Sequence, residues 1–123
     1  MGNNVYPSGN PIVDKANAFT DRVIKLGKYL RSNKVSSVIT NQVERSGLSI
    51  GANVREGVYG QSKADFISKL SIALKETNET QYWIEKLFTG EYITAEQYQS
   101  LNNDLIEIIK ILMAIINSAK KNK

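Results

Sequence analysis

A chain of 123 residues, 41% hydrophobic and 23% charged, has the size and composition of one globular domain with its own core. It has no cysteine and no histidine, which excludes disulfides, thiolate metal sites, cysteine nucleophiles and imidazole acid–base chemistry. With 16 Lys and Arg against 12 Asp and Glu, the net charge of +4 suits a polyanionic partner or plain solubility equally well.

The opening stretch MGNNVYPSGNP is polar and turn-rich and lacks the apolar region of a signal peptide. The longest apolar run, Ile108 to Ile116, is interrupted by Lys110 and is too short to cross a bilayer. A cytoplasmic protein without a membrane partner is therefore expected. Residues 1–10 read as a loosely attached arm, 11–120 as a helical domain and 121–123 as a basic tail.

Pro11 suits the first turn of a helix. From there Ile12, Ala16, Phe19, Val23, Leu26 and Leu30 alternate steps of four and three, a heptad seam. Lys15, Arg22, Lys25, Lys28 and Arg31 fill the intervening positions, so the outer face of this helix is basic. Asn33 and Lys34 mark a turn.

A second helix is predicted from Ser36 to Gly57, with Ile39, Val43, Ile50 and Val54 as its apolar seam and Ser46 and Gly47 in the middle turn. Gly57 and Gly60 bracket a short connection and suit the left-handed conformation that ends helices. Ser62 and Asp65 have the spacing of a capping box and open a third helix carrying Phe66, Leu70, Ala73, Thr77, Thr80, Ile84 and Leu87. A second stripe, Ile67, Leu74 and Tyr82, lies beside that seam. Thr89-Gly90 ends the helix, and Thr94 with Gln97 forms a full capping box for the fourth. That helix has one seam of Tyr98, Leu101, Leu105, Ile108, Leu112 and Ile115 and a second of Ile106, Ile109, Met113 and Ile116. Lys120, Lys121 and Lys123 at its end favour the negative helix terminus.

Four helices of about 20 to 27 residues joined by short turns predict an all-α fold, an antiparallel up-down-up-down four-helix bundle roughly 30–40 Å long. A bundle of this size needs one apolar stripe per helix. The doubled seams on helices three and four either widen the core stripe or, the expectation adopted, bury against another copy in a homo-oligomer, with a dimer and a ring both open.

The segment from Arg45 to Trp83 carries the most information. Gly47 and Gly51, four apart on one helix face, each cost roughly 1 kcal/mol relative to alanine. A bare face, for a close neighbour or for a ligand, is the natural reason, and close helix packing is the reading adopted. Arg45, Ser49, Ala52 and Glu56 form the adjoining stripe with Asn53 beside it, a polar latch. Glu56 stands in the last turn, where the helix dipole disfavours an anion, and so requires a Lys or Arg from another helix or protomer.

Arg45, Ser49-Ile50, Asn53-Val54, Glu56-Gly57, then Ser62, Asp65-Phe66, Leu70, Ile72-Ala73, Glu76 and Glu79-Thr80 resemble the small four-helix bundle proteins of the 23S rRNA intervening-sequence family, also labelled S23 ribosomal proteins. The resemblance spans about residues 10 to 118, and its core is SIxxNxxEG followed by SxxDF. It implies a cytoplasmic bacterial bundle assembling as a homopentamer. It further implies kinship with accessory proteins of diversity-generating retroelements, which bind a reverse transcriptase and nucleic acid. The family often carries an Arg shortly after the Glu-Gly pair. Here Val58-Tyr59-Gly60-Gln61 follows, one basic group fewer in that turn.

Function is expected to be non-enzymatic: a bundle whose basic surface engages RNA, DNA or a nucleic-acid-handling protein. The candidate nucleic-acid-binding residues are Arg22, Lys25, Lys28, Arg31, Arg45, Arg55, Lys120 and Lys121. The candidate latch and motif residues are Arg45, Ser49, Asn53, Glu56, Gly57, Ser62 and Asp65. Tyr59, Tyr82, Trp83 and Tyr92 could stack on bases, although Trp83 beside the core seam suits packing better. The alternative is an adaptor whose apolar grooves dock a partner protein, with no nucleic-acid role. Glu76 and Glu79 are the nearest approach to a carboxylate pair, but the di-iron bundle motif needs Glu-x-x-His. They are expected to face solvent and pair with Lys75 and its neighbours. No catalytic residue, metal ligand or cofactor is assigned.

Overall fold

The computed structural model describes residues 8–122. These form four helices and no strand: α1 (Pro11–Ser32), α2 (Ser37–Val58), α3 (Lys63–Thr89) and α4 (Ala95–Lys121). Each start carries a side-chain cap. Asn10 Oδ1 accepts from the Ile12 N–H, Ser36 Oγ from Val38, and Ser62 Oγ from Asp65. Thr94 and Gln97 complete both halves of the expected capping box, at 2.8 and 3.1 Å. Of the expected arm, residues 1–7 lie outside the described residues. Ser8 and Asn10 wrap the start of α1, with the Ser8 backbone N–H and hydroxyl both donating to Asp14 Oδ1. Of the expected tail, Lys121 is the last helical residue of α4 and Lys123 lies outside the described residues.

The end of α2 differs from the sequence expectation. Neither Gly57 nor Gly60 is left-handed; the left-handed residues at helix ends are Lys34 (φ 58°) after α1 and Glu91 (φ 63°) after α3. The ends of α1 and α3 are Schellman motifs. The Val35 N–H reaches the Leu30 carbonyl at 3.0 Å, and the Tyr92 N–H reaches that of Leu87 at 2.9 Å. Burial of Leu30 and Val35 supplies the apolar contact that accompanies this turn. Gly57 lies inside α2 and is buried, because a Cβ there would meet Lys69 Cβ at 3.0 Å and Leu70 Cδ2 at 3.3 Å.

The core is the four predicted seams brought together: Phe19, Val23, Leu30, Val43, Ile50, Val54, Leu70, Ile84, Leu87, Leu105, Ile108 and Leu112 are buried. Each such side chain contributes roughly 1.5–3 kcal/mol, against about 1 kcal/mol for a typical cap. Ile116, expected on the outer seam of α4, is buried, and Ile115 is half-buried, because the face drifts across the last turn.

Contacts join α1 to α2, α2 to α3, α3 to α4 and, least closely, α1 to α4. Across α1 and α2, Val23 meets Gly47 and Thr20 meets Gly51. Across α2 and α3, Glu56 meets Lys69 and Arg45 meets Glu76. Gln81 meets Asn102 and Phe88 stacks on Tyr98 across α3 and α4. Arg22 meets Asp104 and Lys15 meets Glu107 across α1 and α4. In every pair the numbering rises along one helix as it falls along its neighbour.

Candidate nucleic-acid interface

The sequence motif builds the corner between α2 and α3. Asn53 Nδ2 donates to the Ser49 carbonyl at 2.8 Å, and Ser49 Oγ to that of Arg45 at 2.7 Å, so both side chains serve their own helix. Glu56 finds the required cation in Lys69, at 3.2 Å across the corner. The Asp65 carboxylate folds over Gly60, where a Cβ would strike it, and Ser62 caps α3. Gly57, Ser62 and Asp65 thus answer to the geometry of the turn. The expected latch is divided: Arg45 and Glu56 each reach α3, at separate points, and Asn53 does not.

Arg45 binds Glu79 through a short charge-assisted contact and lies 3.5 Å from Glu76. Glu76 was expected to face solvent; instead its side chain is only 16% exposed, because Arg45 of α2 covers it. Trp83 is half-buried against the core, packs edge-on to Tyr82 and donates from Nε1 to Glu79 at 3.4 Å. Among the described residues no three Asp and Glu side chains converge as a metal site would need.

The eight candidate bases divide by what they touch. Arg22 is held by Asp104 at 2.6 Å and by Ser100 Oγ at 3.0 Å. Arg31 grips Glu44 with both terminal nitrogens, at 2.5 and 2.6 Å, and reaches Asn41 at 2.9 Å. That hydrogen-bonded guanidinium holds the Glu44 carboxyl below its ordinary value, against the opposing effect of burial. With Arg45, three arginines are thus committed to neighbouring helices. Lys25, Lys28, Arg55, Lys120 and Lys121 are exposed, with no ion pair among the described residues.

These five do not share one face. Lys25 lines a groove of about 560 Å³ between α1 and α4 with Arg22, Leu26, Tyr29, Gln97, Leu101 and Asp104. Arg55 lines a smaller groove between α1 and α2, beside Ile24, Leu48 and Gly51. Lys120 lies with Lys63 on a groove floored by Ala64, Ile67 and Ala119. Tyr29 and Lys63 were missed by sequence reasoning. Neither has a local signal, since each joins its groove only when distant helices meet.

The apolar surplus is distributed over two separate helix pairs. On the α3/α4 pair, Ile106 and Met113 are exposed and Ile67, Leu74 and Ile109 half-buried. On the α1/α2 pair, Ile24 and Leu48 are exposed beside the Gly51 groove. No helix among the described residues is long and apolar enough to cross a membrane.

No curated protein matches the chain. A solved crystal structure of a protein with unknown function, from the S23 ribosomal protein family of Bacteroides thetaiotaomicron VPI-5482, is similar at 53% identity. The match covers 85% of this chain and 97% of that one, with a TM-score of 0.83. The sequence model of the family described as 23S rRNA-intervening sequence protein matches residues 9–114. With both the motif corner and nearly the whole helical domain accounted for, the chain belongs to the 23S rRNA-intervening sequence protein family.

Proposed function

We propose that this chain is a non-enzymatic, up-down-up-down antiparallel bundle that works in the cytoplasm as a homo-oligomeric ring. In this reading it binds nucleic acid, or a nucleic-acid-handling protein such as a reverse transcriptase, through its unpaired basic side chains. The observation that carries the proposal is the division among the bases. Lys25, Lys28, Arg55, Lys120 and Lys121 stand exposed without carboxylate partners among the described residues, although the chain has 12 acidic residues to offer. Charges left unpaired on several grooves suit a polyanion, whose phosphates bind by releasing counterions.

Ring assembly is supported by the two exposed apolar faces. One lies on the α1/α2 pair and the other on the α3/α4 pair, and their residues differ. Two unlike faces pack head to tail, and a head-to-tail contact closes into a ring when the rotation allows; five copies is the number the family resemblance suggests. The same faces favour a second reading, an adaptor that docks a partner protein through Ile106 and Met113.

Light scattering combined with anisotropy titration of labelled RNA and DNA tests the proposal. An oligomer that binds at low salt and releases as salt rises is the expected result. A monomer, or an oligomer without affinity for either nucleic acid at low salt, removes the corresponding half. Co-purification of protein partners without nucleic acid would favour the adaptor.

A further inference from the structure

The α1/α4 groove differs from the others in volume and in chemistry. α1 and α4 are the neighbours that approach least closely, and two ion pairs, Lys15–Glu107 and Arg22–Asp104, bridge their seam at 2.6 Å each. Beyond the Arg22–Asp104 bridge the helices leave a cleft of about 560 Å³, within the range of roughly 300–1,000 Å³ typical of small-molecule sites. Its lining combines three kinds of group. Leu26 and the buried Leu101 give an apolar floor, and Tyr29, 42% exposed, gives an aromatic ring. Lys25 gives a cation with no carboxylate partner among the described residues.

Gln97 completes the lining from the first turn of α4. Its Oε1 is taken by the Thr94 N–H, so the amide is fixed in place and Nε2 is left to donate. The positive end of the α4 dipole lies at the same turn. Asp104 is the one carboxylate in the lining, and Arg22 offsets it. The groove therefore offers an apolar and aromatic surface for a flat ring, a fixed donor for a ring edge and positive charge for a phosphate.

We infer that the α1/α4 groove holds one unstacked nucleotide of a single-stranded nucleic acid, an inference that rests on the nucleic-acid reading above. A duplex keeps its bases stacked and offers phosphates alone, which would leave Tyr29 and the leucine floor unused. Single strands present base faces, and base–aromatic stacking tolerates any sequence. Lys28, exposed and one turn from Lys25, continues the positive charge along α1 for the neighbouring phosphate.

The test uses the full chain and a labelled 20-nucleotide RNA of mixed sequence, offered single-stranded and annealed to its complement, in low-salt anisotropy titrations. The wild type binds the single strand more tightly than the duplex. Tyr29→Ala and Tyr29→Leu weaken single-strand binding by roughly tenfold, with duplex binding, helix content and oligomer mass unchanged, and Tyr29→Phe retains it. Lys25→Gln weakens single-strand binding more than Lys120→Gln does. Equal loss on both nucleic acids, no effect of the Tyr29 variants, or a change in oligomer mass overturns the groove assignment. A wild type that binds neither nucleic acid overturns the nucleic-acid reading itself. Binding to both forms with indifferent Tyr29 variants removes only the groove.

Discussion

Gly47 on α2 sits directly over Val23 on α1, so close that a Cβ on the glycine would lie 2.8 and 2.9 Å from the two valine methyls. This contact sets the separation of the two helices. Alanine there would recover about 1 kcal/mol of helix propensity. It would also overpack a buried site, which costs about 1–3 kcal/mol, and valine cannot turn aside because its χ1 is stiff in a helix. Gly47→Ala should therefore lower stability by about 1 kcal/mol, read as a drop in urea midpoint. Gly51→Ala should cost less, since its neighbour Thr20 is half-buried beside an open groove and can rotate. A rise in midpoint for Gly47→Ala would refute the close-packing account.

Among the described residues, four polar side chains are fully buried: Thr40, Ser46, Thr77 and Thr80. Three bond back to a carbonyl four residues earlier on their own helix: Ser46 at 2.7 Å, Thr77 at 2.7 Å and Thr80 at 2.8 Å. Thr40 Oγ1 has no hydrogen-bond partner among the described residues. An unmade hydrogen bond in the core costs roughly 1–3 kcal/mol, and valine has nearly the same shape. Thr40→Val should raise the thermal midpoint, by about 1 kcal/mol of stability, whereas Thr77→Val should give a smaller change. Loss of stability in Thr40→Val would show that the hydroxyl is satisfied after all.

Lys34 occupies the left-handed turn that ends α1, with φ at 58°. A left-handed conformation costs a non-glycine residue about 1–2 kcal/mol. Lys34 is exposed and has no ion pair among the described residues, so nothing else is lost when its side chain is removed. Lys34→Gly should stabilise the fold by about 0.5–1 kcal/mol, less than the full strain because glycine also loosens the unfolded chain. Denaturant titration decides it, and a destabilised variant would mean that Lys34 makes a contact worth more than the strain.

Arg31 holds the Glu44 carboxyl below its ordinary value of 4.5, chiefly through the hydrogen bond and secondarily through its charge. A carboxylate whose value falls on folding stabilises the native state above its unfolded value, and that contribution is lost as pH drops through the folded one. Glu44→Gln should therefore be less stable than wild type at neutral pH, with the difference shrinking once pH falls below about 4.5. Urea midpoints followed from neutral to acid pH test this, and a gap that stays constant would count against it.

The starts of the helices were legible in the sequence, because Ser36, Ser62 and Thr94 cap through atoms two or three residues away. Their ends were less so. Gly57 and Gly60 looked like left-handed terminators, yet the glycines meet crowding from Lys69 and Asp65, and the left-handed positions fell to Lys34 and Glu91. A local rule failed there because the Schellman hydrogen bonds and the burial of Leu30 and Val35 outweigh the backbone strain. The candidate bases were visible as residue types. Their commitments were not, because Arg22 meets Asp104 across 82 positions and Arg45 meets Glu79 across 34. Glu76 and Glu79, three apart, looked exposed for the same reason: the cation that covers them comes from α2.

The commitment of three arginines to carboxylates on neighbouring helices changes the character of the charge that remains unpaired. Arg22, Arg31 and Arg45 spend their planar forks on α4 and on the opposite faces of α1–α2 and α2–α3. Apart from Arg55, the unpaired candidates are lysines, compact ammonium groups on long flexible stems. A surface of this kind responds to the density of negative charge in front of it and hardly at all to the outline of any one phosphate. It could be dimmed step by step by acetylation of single lysines, while the arginine ties that hold the helices together stayed as they were.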